Sequence, residues 1–306
     1  MTIQIIANPT AGRGRGAHLA PLAEQCFRRA GVPFELHYTR AQWHAAELAA
    51  ALYHEGHRTV IVLGGDGTTN EVVNGLLEAA RAGQDNGTVA TIGVIPIGSG
   101  NDFCYPLGLP TTLEEACQRA LRGRTQTIDV GLVQADNQAP RFFVNGVGIG
   151  FDAVVNIESR KFHRLRGATI YLAALLRTIA IYYSAPKVRV VYDGQTFSAE
   201  SLMLSIMNGR RLGGIFHVAP QAILHDGLFD LLLSRRLSRL GILRMIPEFL
   251  RGTHIRHTDL MQLAHARHID IEIDGTLPAH VDGEVYGVGA HHYELEILPA
   301  CLNVLC

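Results

Sequence analysis

The sequence has few cysteines and almost no net charge, and both facts exclude classes of protein. The 306 residues include 5 cysteines, an odd number without a C-x-x-C pair, which argues against a disulfide framework and against a zinc site. With a formal net charge of -1, the chain has no strong global attraction for nucleic acid or for an anionic membrane. We therefore expect reduced thiols, no nucleic-acid partner, and only local attraction to any charged surface.

Long hydrophobic runs are also missing. The most apolar window, Ala168 to Tyr183, is interrupted by Arg177 and is too short to span a bilayer. The sequence starts directly on an apolar strand pattern, without the basic, apolar and small-residue order of a secretory signal. These absences predict a cytoplasmic protein.

Two common catalytic motifs are absent as well. The Walker pattern G-x-x-x-x-G-K-[ST] does not occur, which excludes a P-loop NTPase, and no H-E-x-x-H accompanies the 15 histidines. The adjacent His291 and His292 have no matching acidic partner in the pattern. We therefore interpret the histidines as surface or core residues and not as metal ligands.

The first part of the chain alternates regularly between strand and helix patterns. A length of 306 residues with 47% hydrophobic content is enough for two cores. The alternation predicts an α/β domain with a parallel sheet over residues 1–128. The predicted strands are Ile3 to Ala7, Phe34 to Tyr38, Thr59 to Leu63 and Thr91 to Ile95, and the predicted helices are Ala17 to Ala30, Gln42 to Glu55, Asn70 to Ala80 and Leu113 to Leu121.

In the second half the pattern changes to closely spaced strands. Asp193-Gly194 and Asp274-Gly275 are typical of hairpin turns between alternating runs. This pattern predicts an antiparallel β domain over residues 129–298. Two predicted helices interrupt it, from about Gly167 to Tyr182 and from about Leu237 to Arg251.

The most informative segment is Gly64-Gly65-Asp66-Gly67, which ends an apolar strand pattern and precedes a helical one. Its glycines allow a close backbone approach to a ligand, and the free N–H groups of a helix start point towards that ligand. Because the carboxylate of Asp66 would repel phosphates, we expect a divalent cation, a water-bridged cation or an exchangeable proton between them. The segment predicts a site for a nucleotide with Mg²⁺. The alternative is a glycine-rich turn with a capping aspartate.

Two further glycine loops follow strand patterns in the same domain. Residues 8–16 follow the first predicted strand, and residues 96–103 follow the fourth. Because the carboxyl ends of parallel strands meet at one edge of a sheet, the three loops are expected to converge on one crevice. Convergence is stronger evidence for a ligand site than any single loop.

The order and spacing of these motifs resemble the diacylglycerol kinase catalytic family, which includes bacterial lipid kinases, sphingosine kinases and ceramide kinases. The resemblance implies a β-sandwich in the second domain, with the last segment, about 299–306, returning to the first. NAD kinases and phosphofructokinases have a similar GGDGT loop, but its extension together with GSGND favours the lipid kinases. The segments that carry the resemblance are Asn8-Pro9 to Gly12, Gly64 to Gly75, Pro96 to Phe103, Asp226 to Asp230 and Asp282 to Glu284.

The resemblance implies ATP and Mg²⁺ as cofactors and assigns residues of the first domain to the nucleotide. Thr39, after the second strand, would border the nucleotide, and residues 99–102 would close the pocket. Arg13 stands where the family often has lysine, which keeps the charge but changes its geometry. The residues expected to bind ATP with Mg²⁺ are Asn8, Pro9, Thr10, Ala11, Gly12, Thr39, Gly64, Gly65, Asp66, Gly67, Thr68, Thr69, Asn70, Glu71, Ser99, Asn101 and Asp102.

In the second domain, Asp282 and Glu284 are the expected catalytic carboxylates, with Asp66 as the third catalytic residue. On an extended chain, residues two apart point to the same face, and neighbouring carboxylates raise each other's pKa, which suits a general base. The resemblance favours Glu284 as the base and Asp282 as its partner. From spacing alone, a hairpin turn at Asp282-Gly283 is the alternative.

The segment around Asp226 resembles a metal-binding loop of the family. The resemblance implies a structural Mg²⁺ held by the carboxylate of Asp226 and by the carbonyl oxygens of Ile223 and Leu228. This metal would buttress the catalytic carboxylates. The alternative is a type I′ turn without metal.

Together these inferences predict an ATP- and Mg²⁺-dependent kinase that phosphorylates a lipid hydroxyl, with diacylglycerol as the first candidate. An NAD kinase and a non-catalytic nucleotide sensor of the same fold are the alternatives. The basic segment Arg160 to Arg166 is expected to contact the membrane surface peripherally. An ordinary solvated helix end is the alternative for that segment. A homodimer is left open.

Overall fold

The computed structural model describes residues 2–83, 89–136, 138–162 and 168–306. The chain divides into two compact units, Met1–Val130 with Pro299–Cys306, and Gly131–Leu298. The predicted domain boundary at about residue 129 is close to this division. The assignment of the two units as functional domains stays a prediction. Each unit has an apolar core of its own and is described separately.

The first unit alternates between strands and helices. In chain order its elements are β1 (Ile3–Ala7), α1 (Ala11–Arg29), β2 (Phe34–Tyr38), α2 (His44–His54), β3 (Thr59–Gly64), α3 (Asp66–Ala82), β4 (Thr91–Pro96), α4 (Leu113–Arg122) and the first residues of β5 (Thr125–Ala135). The strands are parallel in the order β4-β3-β1-β2, with Ile61 opposite both Ile5 and Gly93. The predicted α/β domain with a parallel sheet is confirmed.

The end of a later strand, β14 (Glu284–Leu305), completes this sheet. Asn303 and Val304 pair in parallel with Thr91 and Ile92 of β4. The N–H of Asn303 donates to the carbonyl oxygen of Ala90 at 2.8 Å. The last residues therefore cover the edge of β4 that β3 leaves unpaired.

The central strands are buried because they are almost continuously apolar, as is usual for parallel sheets covered on both faces. On one face, Ile61, Leu63 and Ile95 pack against α1 and α4, where Phe27 and Cys117 are fully buried. Helices α2 and α3 pack against each other. This packing holds the carboxyl ends of the strands in a fixed row.

Helix α3 begins earlier than the sequence pattern predicts. The pattern predicts a helix from Asn70 to Ala80, whereas α3 begins at Asp66. Gly65 is the single residue between β3 and α3, with extended backbone angles (φ -108°, ψ -169°). Residues 66–69 therefore form the first helical turn, where polar side chains and free N–H groups are typical, and not a loop.

The ends of other elements in the first unit also differ from prediction. α1 extends from Ala11, but Gly12, Arg13 and Gly14 near its start have left-handed backbone (φ 59°, 62° and 88°), so its regular part begins after Gly14, closer to the predicted start at Ala17. α2 starts at His44 and not at Gln42, because Trp43 before it is also left-handed (φ 67°). Left-handed residues of this kind do not alter the hydrophobic periodicity from which the helix ends were predicted.

The second unit consists of antiparallel strands with three α-helices in its described part. In chain order its elements are the rest of β5, β6 (Arg141–Phe143), β7 (Gly146–Gly150), α5 (Phe151–Ser159), α6 (Ala168–Ile181), β8 (Lys187–Tyr192), β9 (Gln195–Glu200), β10 (Met203–Met207), β11 (Phe229–Ser234), α7 (Arg239–Arg251), a 3-10 helix (His254–Arg256), β12 (Met261–Ala266), β13 (His268–Val281) and the first part of β14. The main sheet has the order β12-β11-β10-β7-β13-β14, and β8 pairs with both β13 and β9. The predicted antiparallel β-sandwich is confirmed.

Two apolar clusters fill the second unit. The first is formed by inward-facing strand residues, among which Phe143 and Phe229 stack with ring centroids 5.4 Å apart. The second includes Phe151 of α5, Ile179 of α6 and Ile242 of α7. The three helices therefore share one core.

One of the two predicted hairpin turns is correct. Asp193 and Gly194 have left-handed backbone (φ 44° and 82°) and connect β8 to β9, as predicted. The turn predicted at Asp274-Gly275 is wrong, because β13 continues through these residues to Val281. A register shift against β14 in this part of the strand absorbs the glycine, whose φ is 111°, as an irregularity within the strand.

The helices of the second unit were only partly predictable. α6 corresponds to the predicted helix 167–182, of which residue 167 lies outside the described residues. α7 begins at Arg239 and not at Leu237, because Ser238 caps it. The Oγ of Ser238 accepts the N–H of Gly241 at 3.1 Å. α5 has no counterpart among the predicted elements. Within the described ranges, no helix has both the length and the apolar composition needed to cross a bilayer.

Candidate active site

Functional residues of the first unit stand directly after its parallel strands. Asn8 follows β1, Thr39 follows β2, Gly65 follows β3 and Ile97 follows β4. The N–H groups of Asn8, Thr39 and Ile97 each donate to a carbonyl oxygen of a neighbouring strand, at 2.9 to 3.0 Å. Since the strands are parallel, all four positions lie along the same edge of the sheet.

Loop 8–16 contacts both of the other glycine segments. The Nδ2 of Asn8 donates to the Oγ1 of Thr68 at 2.9 Å, and its Oδ1 accepts the N–H and the hydroxyl of Thr10. A Cβ added to Gly12 would lie 2.2 Å from the carbonyl oxygen of Ile97, so only glycine fits there. The predicted convergence of three glycine loops is confirmed.

The other two segments approach each other backbone to backbone. A Cβ added to Gly98 would lie 2.6 Å from the Cα of Gly65, and a Cβ added to Gly65 would lie 2.8 Å from the Cα of Gly98. Neither position accommodates a side chain without moving the other. This pair of glycines keeps the backbone around the start of α3 free of side chains.

Asp66 is the first residue of α3 and is half-buried. Its Oδ1 accepts the N–H of Phe103 at 3.2 Å. A Cβ added to Gly100 would lie 3.0 Å from Asp66 Oδ2 and 3.2 Å from Asp102 Oδ2, so two carboxylates flank one glycine. Burial raises the pKa of Asp66, and hydrogen bonds from the backbone N–H groups of residues 101–103 oppose this rise. Two adjacent carboxylates in such a place favour a bound cation.

The start of α3 is suited to bind an anion. The first N–H groups of a helix lack intrahelical acceptors, and the helix dipole adds partial positive charge at this end. The turn is held by Thr69, whose N–H and hydroxyl donate to the carbonyl oxygen of Gly65 at 3.0 and 3.1 Å. A phosphate could therefore meet N–H groups in a fixed orientation.

Some residues predicted to bind ATP make contacts that position the site. Glu71 Oε2 accepts the N–H of Ala45 at the start of α2, at 3.2 Å. Asn70 is buried, and its carbonyl oxygen accepts the Nδ2 of Asn74 at 2.8 Å. Ser99 is exposed at the tip of its loop. Thr10 is exposed as well, and the predicted residues that are partly exposed are Asn8, Pro9, Ala11, Gly12, Gly65, Asp66, Gly67, Glu71 and Asn101.

In the second unit, Asp282 lies in the two-residue turn between β13 and β14. Its carboxylate is buried, with Oδ1 accepting the N–H groups of Asn145 and Gly146 at 2.9 and 2.8 Å and Oδ2 accepting that of Val144 at 2.9 Å. Asp282 and Gly283 both have left-handed backbone (φ 48° and 81°). The carboxylate therefore anchors the loop between β6 and β7.

The expectation that Asp282 and Glu284 share one face of an extended chain is wrong. The hairpin alternative describes the geometry, since Val281 pairs with Glu284 across the turn. The two side chains consequently have separate partners. Whereas Asp282 binds backbone N–H groups, Glu284 is half-exposed and forms an ion pair with Arg160, with 2.7 Å between Oε2 and the guanidinium nitrogen.

Replacing Asp282 with asparagine is expected to destabilise the protein strongly. Asparagine tolerates the left-handed backbone, but its amide has one acceptor oxygen for three buried N–H donors. Unsatisfied donors of this kind cost roughly 3 kcal/mol together, which lowers the melting temperature by about 6–12 °C. Differential scanning calorimetry of the full chain measures this shift.

The matched control for this variant is Asp193→Asn. Asp193 occupies the same position in the Asp-Gly turn between β8 and β9, and its exposed carboxylate accepts the N–H groups of Arg267 and His268. Because water can replace an exposed acceptor, the melting temperature of Asp193→Asn should shift much less than that of Asp282→Asn. Equal shifts for both variants would show that the turn, and not the buried carboxylate, carries the stability.

Helix α5, which the sequence analysis missed, lies along the Asp282 turn. Asn156 Nδ2 donates to the carbonyl oxygen of Gly283 at 2.7 Å, and Arg160 binds Glu284. Asp152, Asn156 and Arg160 are spaced at i, i+4 and i+8, which places them on one face of the helix. That spacing is the signal in the sequence that identifies α5 as a support for the turn.

At the start of α5, Asp152 forms a buried polar cluster. Ser205 Oγ donates to Asp152 Oδ2 at 3.3 Å, and His280 Nε2 lies 3.9 Å from the same oxygen. A Cβ added to Gly148 would lie 2.1 Å from that oxygen, so glycine is required beside it. Burial raises the pKa of Asp152 to about 7 and lowers the pKa of His280 to about 4. Between these values both groups are uncharged.

The Asp226 loop has fewer side-chain ligands than a dedicated metal site. Asp226 and Ile223 are both exposed. The Oδ1 of Asp226 accepts the N–H of Leu228 at 3.1 Å. Gly227 is the single residue of the loop with positive φ (73°), so the type I′ alternative, which needs two, is wrong. In the described part of the chain, no group of three His, Cys, Asp or Glu side chains is placed to hold a metal ion.

The basic segment Arg160 to Arg166 lies partly outside the described residues, which omit 163–167. Of its described residues, Arg160 pairs with Glu284 and Lys161 with Glu158. Phe162 packs against the apolar cluster shared by the helices. Two of the cations expected at a membrane are therefore engaged within the unit.

Comparisons with known proteins agree with this arrangement. One family model, described as diacylglycerol kinase catalytic domain, matches residues 2–133, and another, described as YegS C-terminal NAD kinase beta sandwich-like domain, matches residues 145–306. The diacylglycerol kinase of Bacillus subtilis (strain 168) is 30% identical over 93% of this chain and 90% of its own length. That of Mycobacterium tuberculosis (strain ATCC 25618 / H37Rv) is 30% identical over 99% of this chain and 94% of its own.

A solved structure supports the fold. A putative diacylglycerol kinase from Bacillus anthracis str. Sterne has a TM-score of 0.76 with 23% identity, covering 99% of this chain and 96% of that one. An α/β unit with convergent glycine loops, in one chain with an antiparallel β-sandwich, defines a class of kinases. This chain belongs to the diacylglycerol kinase family. The resemblance inferred from its motifs is confirmed.

Proposed function

We propose that the protein transfers the γ-phosphoryl group of ATP to the hydroxyl of a lipid, with diacylglycerol as the first candidate. The observation that carries this proposal is the convergence of three glycine loops around Asp66 at one edge of the parallel sheet. Relatives named diacylglycerol kinase match nearly the whole chain and support a lipid acceptor.

The chain's own groups suit the nucleotide side of this reaction. Phosphoryl transfer depends mainly on positioning and on neutralising charge. The N–H groups at the start of α3 would bind phosphate oxygens, and the Asn8–Thr68 hydrogen bond would keep two loops in register around them. The absence of side chains at Gly65 and Gly98 would leave room for the triphosphate.

Glu284 is the proposed general base. It is half-exposed, so an acceptor hydroxyl can reach it, and Arg160 holds its carboxylate in one orientation. In the reaction the hydroxyl proton would pass to a carboxylate oxygen of Glu284 as the hydroxyl oxygen attacks the γ-phosphorus. Asp282 would contribute indirectly, by anchoring the turn that presents Glu284.

The donor set around Asp66 fits a nucleotide-bound Mg²⁺. Asp66 Oδ2 and Asp102 Oδ2 flank Gly100, and carboxylate oxygens are the ligands that Mg²⁺ prefers. Asp66 and Asp102 are therefore the residues that would hold this ion. When bound, Mg²⁺ neutralises charge on the phosphates and orients them.

A second, structural Mg²⁺ at the Asp226 loop remains part of the proposal. Its support is the family resemblance and the hard oxygen donors that the loop offers, namely the exposed carboxylate of Asp226 and the carbonyl groups of Ile223 and Leu228. With one carboxylate as its side-chain ligand, such an ion would retain several waters. The residues fit weak binding of Mg²⁺ better than a closed cage.

NAD kinase activity is the second candidate function. The second unit matches a model described as NAD kinase beta sandwich-like, and the GGDGT loop does not by itself distinguish the two activities. The two activities differ in the acceptor of the phosphoryl group, which is a lipid hydroxyl in one case and NAD in the other. A non-catalytic sensor is a third candidate, and the presence of Asp66 and Glu284 argues against it.

We expect purified protein with radiolabelled ATP and Mg²⁺ to label a lipid in mixed micelles and to leave NAD unchanged. The assay offers diacylglycerol, other hydroxylated lipids and NAD in parallel, with thin-layer separation of the products. Formation of NADP without lipid phosphate would establish the second candidate instead. ATP binding by calorimetry without any labelled product would establish the sensor.

A further inference from the structure

Helix α7 presents an apolar side to solvent. Leu240, Leu243 and Leu250 are 57%, 40% and 39% exposed, and Pro247 between them is exposed as well. Their spacing of i, i+3, i+7 and i+10 places all four on one side of the helix. This side of α7 is called the leucine face.

The opposite side of α7 is also apolar and faces the core. Ile242 and Met245 are 6% and 5% exposed and belong to the cluster shared by the helices. A surface helix of a globular domain normally turns polar residues outward. Because α7 is capped at both ends, by Ser238 and by the left-handed Gly252, its leucine face belongs to a defined helix.

Arginines border the leucine face. Arg239, Arg244 and Arg251 are exposed on α7, and the helix has a single acidic residue, Glu248. The carboxylate of Glu248 accepts the hydroxyl of Thr253 and lies 3.7 Å from His257. The helix therefore combines leucines with an excess of fixed positive charge, in a chain whose formal net charge is -1.

The end of α6 extends this surface. Arg239 Nε donates to the carbonyl oxygen of Ile179 at 2.9 Å, which places the start of α7 beside the end of α6. Ile181, in the last turn of α6, is 58% exposed. The start of α7 therefore lies beside the end of α6, whose last residue is apolar and exposed.

We infer that the leucine face of α7 docks on an anionic membrane surface. Leucines flanked by arginines, on a helix whose other side packs on the core, are what an interfacial helix needs, with apolar side chains at the acyl boundary and cations against lipid phosphates. The positive charge of the face complements an anionic bilayer. The inference deepens the proposed function, on which it rests, because a lipid acceptor is embedded in such a bilayer.

This surface differs from the basic segment Arg160 to Arg166. There, Arg160 and Lys161 are paired with carboxylates. Within the described residues, Arg244 and Arg251 form no ion pair, although Arg251 lies close enough to Glu248 for their charges to interact. Cations that are not held in an ion pair lose less on binding lipid phosphates.

Co-sedimentation with vesicles tests the inference. The probes are phosphatidylcholine vesicles with and without phosphatidylglycerol, at rising salt. Binding to the anionic vesicles should fall as salt rises. The double variant Arg244→Gln, Arg251→Gln should weaken it about thirtyfold, since each basic residue near an anionic surface contributes about fivefold. Leu240→Ser with Leu243→Ser should weaken it at least about tenfold.

Matched controls change the same residue types elsewhere. Leu22 and Leu263 are 46% and 43% exposed and do not belong to α7, so Leu22→Ser with Leu263→Ser should bind as the unmodified chain does. Arg28→Gln with Arg122→Gln removes two charges from helices of the first unit. Melting temperatures of all variants show that they are folded.

The outcomes separate the inference from the proposed function. Support requires that the α7 variants lose vesicle binding and keep activity on a short-chain, water-soluble acceptor. Unchanged vesicle binding in both α7 double variants overturns the inference, and so does a leucine face that proves by analytical ultracentrifugation to join two copies of the chain. If the protein binds anionic vesicles through α7 but phosphorylates no lipid, the docking surface stands and the proposed function fails.

Discussion

Replacing Asp66 with alanine is expected to lower kcat by about 10³-fold or more. The half-buried carboxylate lies at the start of α3, close to Asp102, where the phosphates and their cation would be held. Removing it takes away charge stabilisation at the transferring group, which is the main contribution of a phosphoryl-transfer enzyme. Turnover of lipid with radiolabelled ATP measures the loss.

Removing only the charge at this position should not lower thermal stability. Burial raises the pKa of Asp66, so the ionised carboxylate at neutral pH is less stable in the folded chain than in the unfolded chain. Asp66→Asn, which keeps the shape, should therefore melt at the same or a higher temperature while remaining inactive. Glu47→Ala is the control, because it removes an exposed acid from the first turn of α2 and should keep full activity. Normal activity in Asp66→Asn would remove this residue from the mechanism.

Glu284→Gln is expected to lower kcat by roughly 10² or more with little change in ATP affinity. Glutamine keeps the size of the side chain but cannot accept the hydroxyl proton, so the loss should appear in the chemical step and not in nucleotide binding. Steady-state kinetics together with ATP titration calorimetry separates the two effects.

A second ionised pair in the same unit provides the control for this variant. Glu272 is exposed and paired with Arg189 at 3.2 Å, so Glu272→Gln removes an equivalent surface charge and should leave kcat unchanged. If Glu284→Gln keeps full kcat while a folded Asp282→Asn is inactive, the roles assigned to these two carboxylates are reversed.

The position of the glycine loops in the first unit was predictable because their signals are local. A glycine loop after an apolar run marks the carboxyl end of a strand, and parallel strands bring such ends together. Asn8, Gly65 and Gly98 are all found where this reasoning places them. Even so, the start of α3 was placed too late, because a polar first helical turn has the composition of a loop.

The second unit was harder to predict because its contacts are long-range. The carboxylate of Asp282 is buried because it accepts the N–H groups of residues 144–146. These donors are far from Asp282 in the sequence, and no local motif indicates the contact. The Asp274-Gly275 pair has the composition of a turn, yet pairing with β14 keeps β13 continuous. Helix α5 was missed because its Val154-Val155 segment favours a strand locally.

The strand that completes the first unit comes from the end of the chain, and this affects folding during synthesis. Val304 pairs with Ile92, and the whole second unit is translated between them. While the ribosome makes that unit, one edge of β4 lacks the strand that later pairs with it. An unpaired apolar edge can form hydrogen bonds with other chains. The first unit can therefore reach its final form only after the second unit has emerged. A chain shortened by premature termination would expose the unpaired edge of β4 and become a substrate for chaperones and proteases.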